Sequence, residues 1–460
     1  MKPSPRFSPK EAVDILKKYL LADPSAMVID FEKSHGSYLH DAVTDRDYLD
    51  FYTFYGSLPI GFNHPGMSAP DFVEDIKRTG ICKPANSDIL SVEYAEFVDT
   101  FCRIALPGGF NHLFFISGGA LAVENALKTA FDWKVRKNLE RGIKNKGTQI
   151  VHFKKAFHGR SGYTLSLTNT FDLNKTKYFP TFPWPRIACP CLKFPLTDKN
   201  LAETVALEEK AAQEIRQAFA DHPGDIAAII IEPIQGEGGD NHFRKEFFQT
   251  LRALADENEA LLIFDEVQSG MGITGRMWCA GHFGVMPDIF CFGKKAQVGG
   301  IFCNERVQDV DSVFKVPGRI NSTFGGNLID MVRARRYLEI IDGEKLVENA
   351  ERVGGFLLDG LIDLSRRFEI MSNVRGRGLM IAFDLPSDHE RKIFRAQLLK
   401  EGCLALPCGP RGIRLRPPLN LSREDAQRGL DIIGASLRVL YGRPVAPETA
   451  NPPFSSATRK

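Results

Sequence analysis

The segment "DIAAIIIEP", residues 225–233, decides how the chain folds. From Ile226 to Ile231 every residue is apolar, with no polar position in alternation. That is the pattern of a strand covered on both faces, as in a parallel sheet. The flanks repeat the theme. "HFRKEFFQTLRALADENEA" (242–260) places Phe243, Phe247, Leu251 and Leu254 on one stripe, which predicts an amphipathic helix with Asp240 as its N-cap. "LLIFDEV" (261–267) and "DIFCFG" (288–293) return to strand. Upstream, "TQIVHF" (148–153) and "NHLFFIS" (111–117) are further strands, and Gly118-Gly119 joins the latter to a long helical pattern, "ALAVENALKTAFDWKVRKNL". Strands alternating with helices predict an α/β fold with a mainly parallel sheet covered on both sides. Such sheets bind ligands beyond the carboxyl ends of their strands.

The outer parts of the chain read differently. "AVDILKKYL" (12–20) is a first amphipathic helix, and "GSYLHDAVTDRDYLDFYTF" (36–54) predicts short paired strands about a turn. From about 330 long helices dominate, followed by short strands in "GLMIAFDL" and "GIRLRPPL". The expected organisation is an N-terminal segment (1–60) packed with a smaller C-terminal α+β domain (333–443), a large domain (61–332), and a Pro/Ser/Thr-rich flexible tail (444–460).

The composition excludes several classes. The 460 residues are 43% hydrophobic and 25% charged, with a net charge of +2, so nucleic acid and anionic membrane are not expected partners. No apolar run reaches the roughly 18 residues that a membrane span needs. The nine cysteines are scattered without a CxxC pair, and "CPC" (189–191) alone cannot build a zinc site. Reduced thiols in a cytoplasmic protein are expected.

Polar groups gather where the strands end. Gly118-Gly119-Ala120 stands between a strand and a helix, where backbone N–H groups and the helix dipole favour an anion such as phosphate. It is neither a GxGxxG fingerprint nor a Walker A loop. Asp265 and Glu266 end one strand and point to opposite faces. "FHGR" (157–160) supplies an aromatic, a His and an Arg. Taken singly, Asp265 and Glu266 read as solvated acids and His158 as a surface residue. Lys294 and Lys295 follow the strand "DIFCFG". Together these are what pyridoxal phosphate requires: a lysine for the Schiff base, a carboxylate for its ring nitrogen, an anion site and a flat side chain. The lysine must also lose its proton below the usual value, which desolvation and a neighbouring cation achieve.

"IIIEPIQGEGG", "LLIFDEVQSGMGITG" and "PDIFCFGKKAQVGG" resemble the signature of the class III (ω-amino acid) aminotransferases, pyridoxal phosphate enzymes of fold type I. Within the class, "GSYLHDAVTDRDYLDFYTF", "SGGALAVENALKTAFDWK", "AFHGRSGYTLSLTNT" and "RINSTFGGNLIDMVRARR" are most similar to the lysine 6-aminotransferases. The class usually has SG[ST]EA at the phosphate turn, whereas this chain has Ala120 and Leu121 at the hydroxyl and acid positions. The loss leaves backbone N–H groups to hold the phosphate.

The resemblance implies a seven-stranded, mainly parallel sheet and a homodimer with active sites at the interface. It makes Lys294 the Schiff-base lysine, because a small residue, Gly293, precedes it. Lys295 is then a bystander, either a solvated charge or a helper. Asp265 becomes the ring-nitrogen carboxylate and Glu266 structural. The resemblance places Gly119 and Ala120 at the phosphate and Phe157 over the ring. Gln268 is near the cofactor's 3-hydroxyl, and Thr323 reaches the neighbouring subunit's phosphate. It implies transfer of the ε-amino group of L-lysine to 2-oxoglutarate. Arg160 would hold the distal carboxylate, Arg414 the α-carboxylate of glutamate, and Glu237 would pair with Arg414 when the ω-amine enters. Arg416 lies on the same face of its strand as Arg414 and is the alternative.

Overall fold

The computed structural model describes residues 7–21 and 27–442. Seven strands form the central sheet: β1 (Phe110–Ile116), β2 (Gln149–Phe153), β3 (Arg186–Ile187), β4 (Ile226–Ile231), β5 (Leu261–Asp265), β6 (Ile289–Phe292) and β7 (Gly299–Asn304). Their order is β1-β7-β6-β5-β4-β2-β3. All neighbours are parallel except β7, which is antiparallel to both β1 and β6. The exception has a simple cause. Only residues 293–298 join β6 to β7, too few for the crossover that a parallel pair needs. That tight connection carries both lysines of the doublet.

The apolar runs divide their side chains between the two faces. Ile229, Ile231, Leu262, Phe264, Phe290 and Phe292 join one core cluster, with Phe247, Leu251 and Leu254 of the helix Lys245–Glu257. Ala228, Ile230, Leu261, Ile263, Ile289 and Cys291 join the other, against Ala122, Val123, Ala126 and Trp133 of the helix Gly119–Glu140. Continuous apolar strands are therefore what a two-sided sheet requires.

Two expectations need correction. The helix after β4 starts at Lys245 with Arg244 as its N-cap, and no side chain caps it. Asp240 is instead fully buried, with Oδ1 2.5 Å from Arg416 Nη2. An arginine with no exposure to solvent needs a counter-charge more than a helix end needs a cap, so the carboxylate goes there. Phe243 is buried but precedes the helix. The strand β7 and the helix Asp198–Asp221 were not foreseen.

The second body is a four-stranded antiparallel sheet (Ser372–Arg377, Met380–Asp384, Gly412–Leu415, Leu406–Cys408) with the helices Leu346–Arg367, Asp388–Lys400 and Arg423–Tyr441 around it. The N-terminal hairpin Tyr38–Asp41/Arg46–Asp50 adds Cys403–Leu404 as a parallel third strand, so both ends of the chain meet in one sheet. The tail 444–460 lies outside the described residues. Among the described residues no helix is long and apolar enough to cross a membrane, and no three His, Cys, Asp or Glu side chains cluster as metal ligands.

The Asp240–Arg416 pair ties the loop after β4 to the second body. Removing one partner strands a buried charge, at a cost of about 3–5 kcal/mol. Asp240→Ala is expected to lower the urea midpoint of the folded protein clearly, followed by circular dichroism. An unchanged midpoint would show that the pair contributes nothing.

Candidate active site

The carboxyl ends of β4, β5 and β6 open into a cavity of about 1260 Å³, lined among others by Phe157, Arg160, Glu237, Gln268, Lys294 and Arg414. The chain thus brings six candidates from five separate segments together. Lys294 sits just past β6 with φ +49°, a left-handed backbone that a lysine rarely adopts. Such strain is held only where surrounding structure dictates it. Its amine is pushed down to about 8, first by burial and then by the charge of Arg414, against the opposing pull of Asp265 and Glu232.

Lys295 is turned away from the cavity. It is buried, and its Nζ donates to the backbone oxygens of Gln268 (2.8 Å) and Gly56 (3.4 Å). Burial, and then the charge of Lys294, hold its amine well below the usual lysine value. The solvated-charge reading of Lys295 is therefore corrected: it is a buried brace between two loops.

Asp265 is buried at the end of β5. Its Oδ1 accepts the Val267 N–H at 3.1 Å, and its Oδ2 lies 2.7 Å from His158 Nδ1. His158 is buried too, not a surface residue. Burial alone would push its imidazole down, but the hydrogen bond and charge of Asp265 outweigh that and the net shift is upward. Asp265 is thereby fixed in orientation. Glu266 faces the other side, as strand alternation requires, and is not solvated. It accepts from the Cys279 and Ala280 N–H groups (2.7 and 2.8 Å) and the Ser269 hydroxyl, and burial pushes it up to about 7.

Glu232, past the end of β4, was not singled out by the sequence. It accepts the Phe157 N–H at 2.8 Å and the Gly236 N–H at 3.1 Å, fixing both the aromatic and the 235–241 loop. Burial pushes its carboxyl up to about 7. Its position one residue past an apolar strand was the available signal.

The phosphate turn is shaped by close approach. Gly118 has φ +92°, and a Cβ on Gly119 would stand 2.6 Å from Val267 Cγ1. The helix that begins at Gly119 has no side-chain cap, so its first N–H groups, including those of Gly119 and Ala120, are open to an anion. Ala120 packs where a Cβ on Gly159 would come within 2.7 Å of it. Thr323 is exposed outside the cavity, its carbonyl accepting from Ser87 Oγ at 3.2 Å.

On the substrate side, Glu237 and Arg414 have separate partners. Glu237 is not on Arg414: its Oε1 lies 2.6 Å from Lys175 Nζ and accepts the Thr170 hydroxyl at 2.9 Å. Arg414 Nη1 donates instead to Gln268 Oε1 at 3.0 Å, and Arg416 Nε and Nη2 donate to the same oxygen at 3.1 and 3.0 Å. Gln268 is thus engaged through its Oε1 by two arginines. Both arginines do lie on one face. Arg416 is paired with Asp240, while Arg414 lines the cavity, as does exposed Arg160.

These residues fit pyridoxal phosphate. The glycine-shaped, uncapped helix start suits its phosphate, the oriented Asp265 its ring nitrogen, Phe157 its flat face, and the depressed amine of Lys294 its aldehyde.

The amine of Lys294 is expected to react with a small aldehyde, trapped by cyanoborohydride in cofactor-free protein, with a midpoint near pH 8. Arg414→Gln removes a neighbouring cation, so the midpoint should rise. Peptide mapping should find the label on Lys294; label on Lys295 would overturn the assignment.

Residues 21–437 match the family model of the class-III aminotransferases. The chain is 47% identical over 437 residues to L-lysine-epsilon aminotransferase of Mycobacterium bovis, covering 94% of this chain and 96% of that protein. It is 46% identical to the enzyme of the same name from Amycolatopsis lactamdurans, covering 92% and 94%. The solved structure of lysine aminotransferase from M. tuberculosis superposes with a TM-score of 0.92 at 47% identity, covering 94% of this chain and all of that one. A match across nearly the whole chain, on a site that fits pyridoxal phosphate, places this protein in the class-III aminotransferase family.

Proposed function

We propose that the chain transfers the ε-amino group of L-lysine to 2-oxoglutarate, forming 2-aminoadipate 6-semialdehyde and L-glutamate. The observation that carries this reading is the charge pattern of the cavity. Three arginines line it, Arg160, Arg395 and Arg414, of which Arg395 donates to the Ala405 carbonyl at 3.2 Å, and Glu237 is its sole acidic lining residue among the described residues. Arg160 and Arg414 match the two carboxylates of the acceptor. L-Lysine, reacting at its far amine, brings one carboxylate, so one arginine must then be neutralised by a protein carboxylate.

The residue roles follow from that demand. Lys294 Nζ holds the cofactor, then takes the proton from the carbon that bears the reacting amine; an amine near 8 is well suited to this at neutral pH. Pyridoxal phosphate supplies the electron sink for the pair left behind. Asp265, fixed by His158, keeps the ring nitrogen protonated. Phe157 covers the ring, and Gly119 and Ala120 offer backbone N–H groups to the phosphate. Arg160 pairs with the distal carboxylate and Arg414 with the α-carboxylate of the dicarboxylate, by bidentate contact. Glu237 moves onto Arg414 in the lysine half-reaction, and Gln268 positions both arginines.

The protein acts as a cytoplasmic homodimer in this reading, with Thr323 reaching the partner's cofactor phosphate. The exposure of Thr323 in a single chain supports that role.

Single-turnover half-reactions, followed by the cofactor's visible absorbance, test the proposal. L-Lysine should outpace ornithine and 4-aminobutyrate, and a preference for either of those would overturn the donor assignment. Glu237→Ala leaves Arg414 permanently unmasked. It should shift the balance from lysine towards glutamate by about tenfold, the effect of roughly 1.4 kcal/mol; an unchanged ratio removes the gating role.

A further inference from the structure

Glu237 shares its cavity with Lys175 and Arg414, and it stands on Lys175 rather than on Arg414. Lys175 Nζ lies 2.6 Å from Glu237 Oε1, and the Thr170 hydroxyl donates to the same oxygen at 2.9 Å. Glu237 Oε2 is buried without a hydrogen-bond partner, so one lone-pair edge remains unused. Arg414 is buried, its Nε has no partner, and its Nη1 meets only the neutral amide oxygen of Gln268. The charge of Glu237 is nevertheless felt at Arg414. A buried guanidinium facing only a neutral acceptor favours an incoming anion.

Lys175 ends the short turn Leu173–Lys175, whose start is fixed by the Asp172 side chain accepting the Asn174 N–H. It lines the same cavity as Glu237 and Arg414. We propose that Lys175 is a latch: it holds Glu237 off Arg414, so that the dicarboxylate meets an unmasked arginine, and it releases Glu237 when the ω-amine substrate enters. This rests on the reading above, in which one site takes a dicarboxylate and an ω-amine in turn. Lys175 is a positioning and specificity-determining residue here, acting through Glu237. The pair is partly solvated, with side-chain exposures of 23% and 14%. A contact of that kind is weak enough to break once per cycle.

The latch is tested on the holoenzyme with glutarate, an unreactive five-carbon dicarboxylate, by titration calorimetry. Lys175→Met should return Glu237 to Arg414 and weaken glutarate about three- to tenfold, the scale of one part-exposed ion pair. Lys175→Arg should restore it. In a Glu237→Gln background, Lys175→Met should change glutarate affinity less than about twofold, because there is no carboxylate left to latch. In half-reactions, Lys175→Met should raise the lysine-to-glutamate rate ratio, opposite in sign to Glu237→Ala. Undiminished glutarate binding in Lys175→Met would overturn the latch. So would a loss that persists in the Glu237→Gln background, since Lys175 would then contact the dicarboxylate itself. If the wild-type holoenzyme ignored L-lysine, the donor assignment would fall while the glutarate cycle still reported on the latch.

Discussion

Three cationic side chains converge on one glutamine, and a fourth stands beside them. Arg414 and Arg416 donate to the Oε1 of Gln268, Lys295 donates to its backbone oxygen, and Lys294 lies close enough for both arginines to depress its amine. Among the described residues only one carboxylate, Asp240, pairs directly with this group, and Arg416 holds it. Such an excess of buried positive charge is costly in isolation. It is tolerable because each cation has found a different remedy: an ion pair for Arg416, two carbonyls for Lys295, an amide oxygen for Arg414, and an easily lost proton for Lys294. The same excess makes the cavity receptive to carboxylates and keeps a nucleophilic amine available near neutral pH.

The 235–241 loop makes this arrangement adjustable. Glu232 anchors its start through the Gly236 N–H, and Asp240 anchors its end through Arg416. Gly236 lies so close to Gln268 that a Cβ there would stand 2.4 Å from Oε1. Between these fixed points stands Glu237, whose carboxylate has one oxygen bound and one unpaired. A rigid frame carrying one poorly satisfied acid is a sensible place for the proposed charge switch, because a side chain can rotate while the backbone stays fixed.

Much of the fold was legible because a two-sided sheet leaves a strong mark. Strands β4 and β6 are apolar throughout and β5 is apolar up to Asp265 at its end, and the helix Gly119–Glu140 is long and well bounded by glycine. Strand β7 was not legible: it begins with two glycines, and its direction follows from the length of a loop rather than from its own residues. Among the site residues, Lys294 and Asp265 stand at strand ends, where position carries information. Asp240 misled for the opposite reason. Its place ahead of a helix is a local signal, but its partner Arg416 is 176 residues away. Lys175 carries no local signal at all, since only the folded chain brings it to Glu237.

The doublet Lys294-Lys295 shows how little side-chain identity decides. Both amines are depressed by burial, yet one faces a cavity and the other faces two backbone oxygens. The difference is made by the short connection between β6 and β7, which forces Lys294 into a left-handed backbone and turns the next residue inward. An amine that donates to carbonyls in place is fixed and has its work in holding Gln268. An amine aimed into open space beside an arginine is both deprotonated readily and free to move. Reactivity here is a property of where the antiparallel strand turns back, and the sequence specifies it through loop length as much as through lysine.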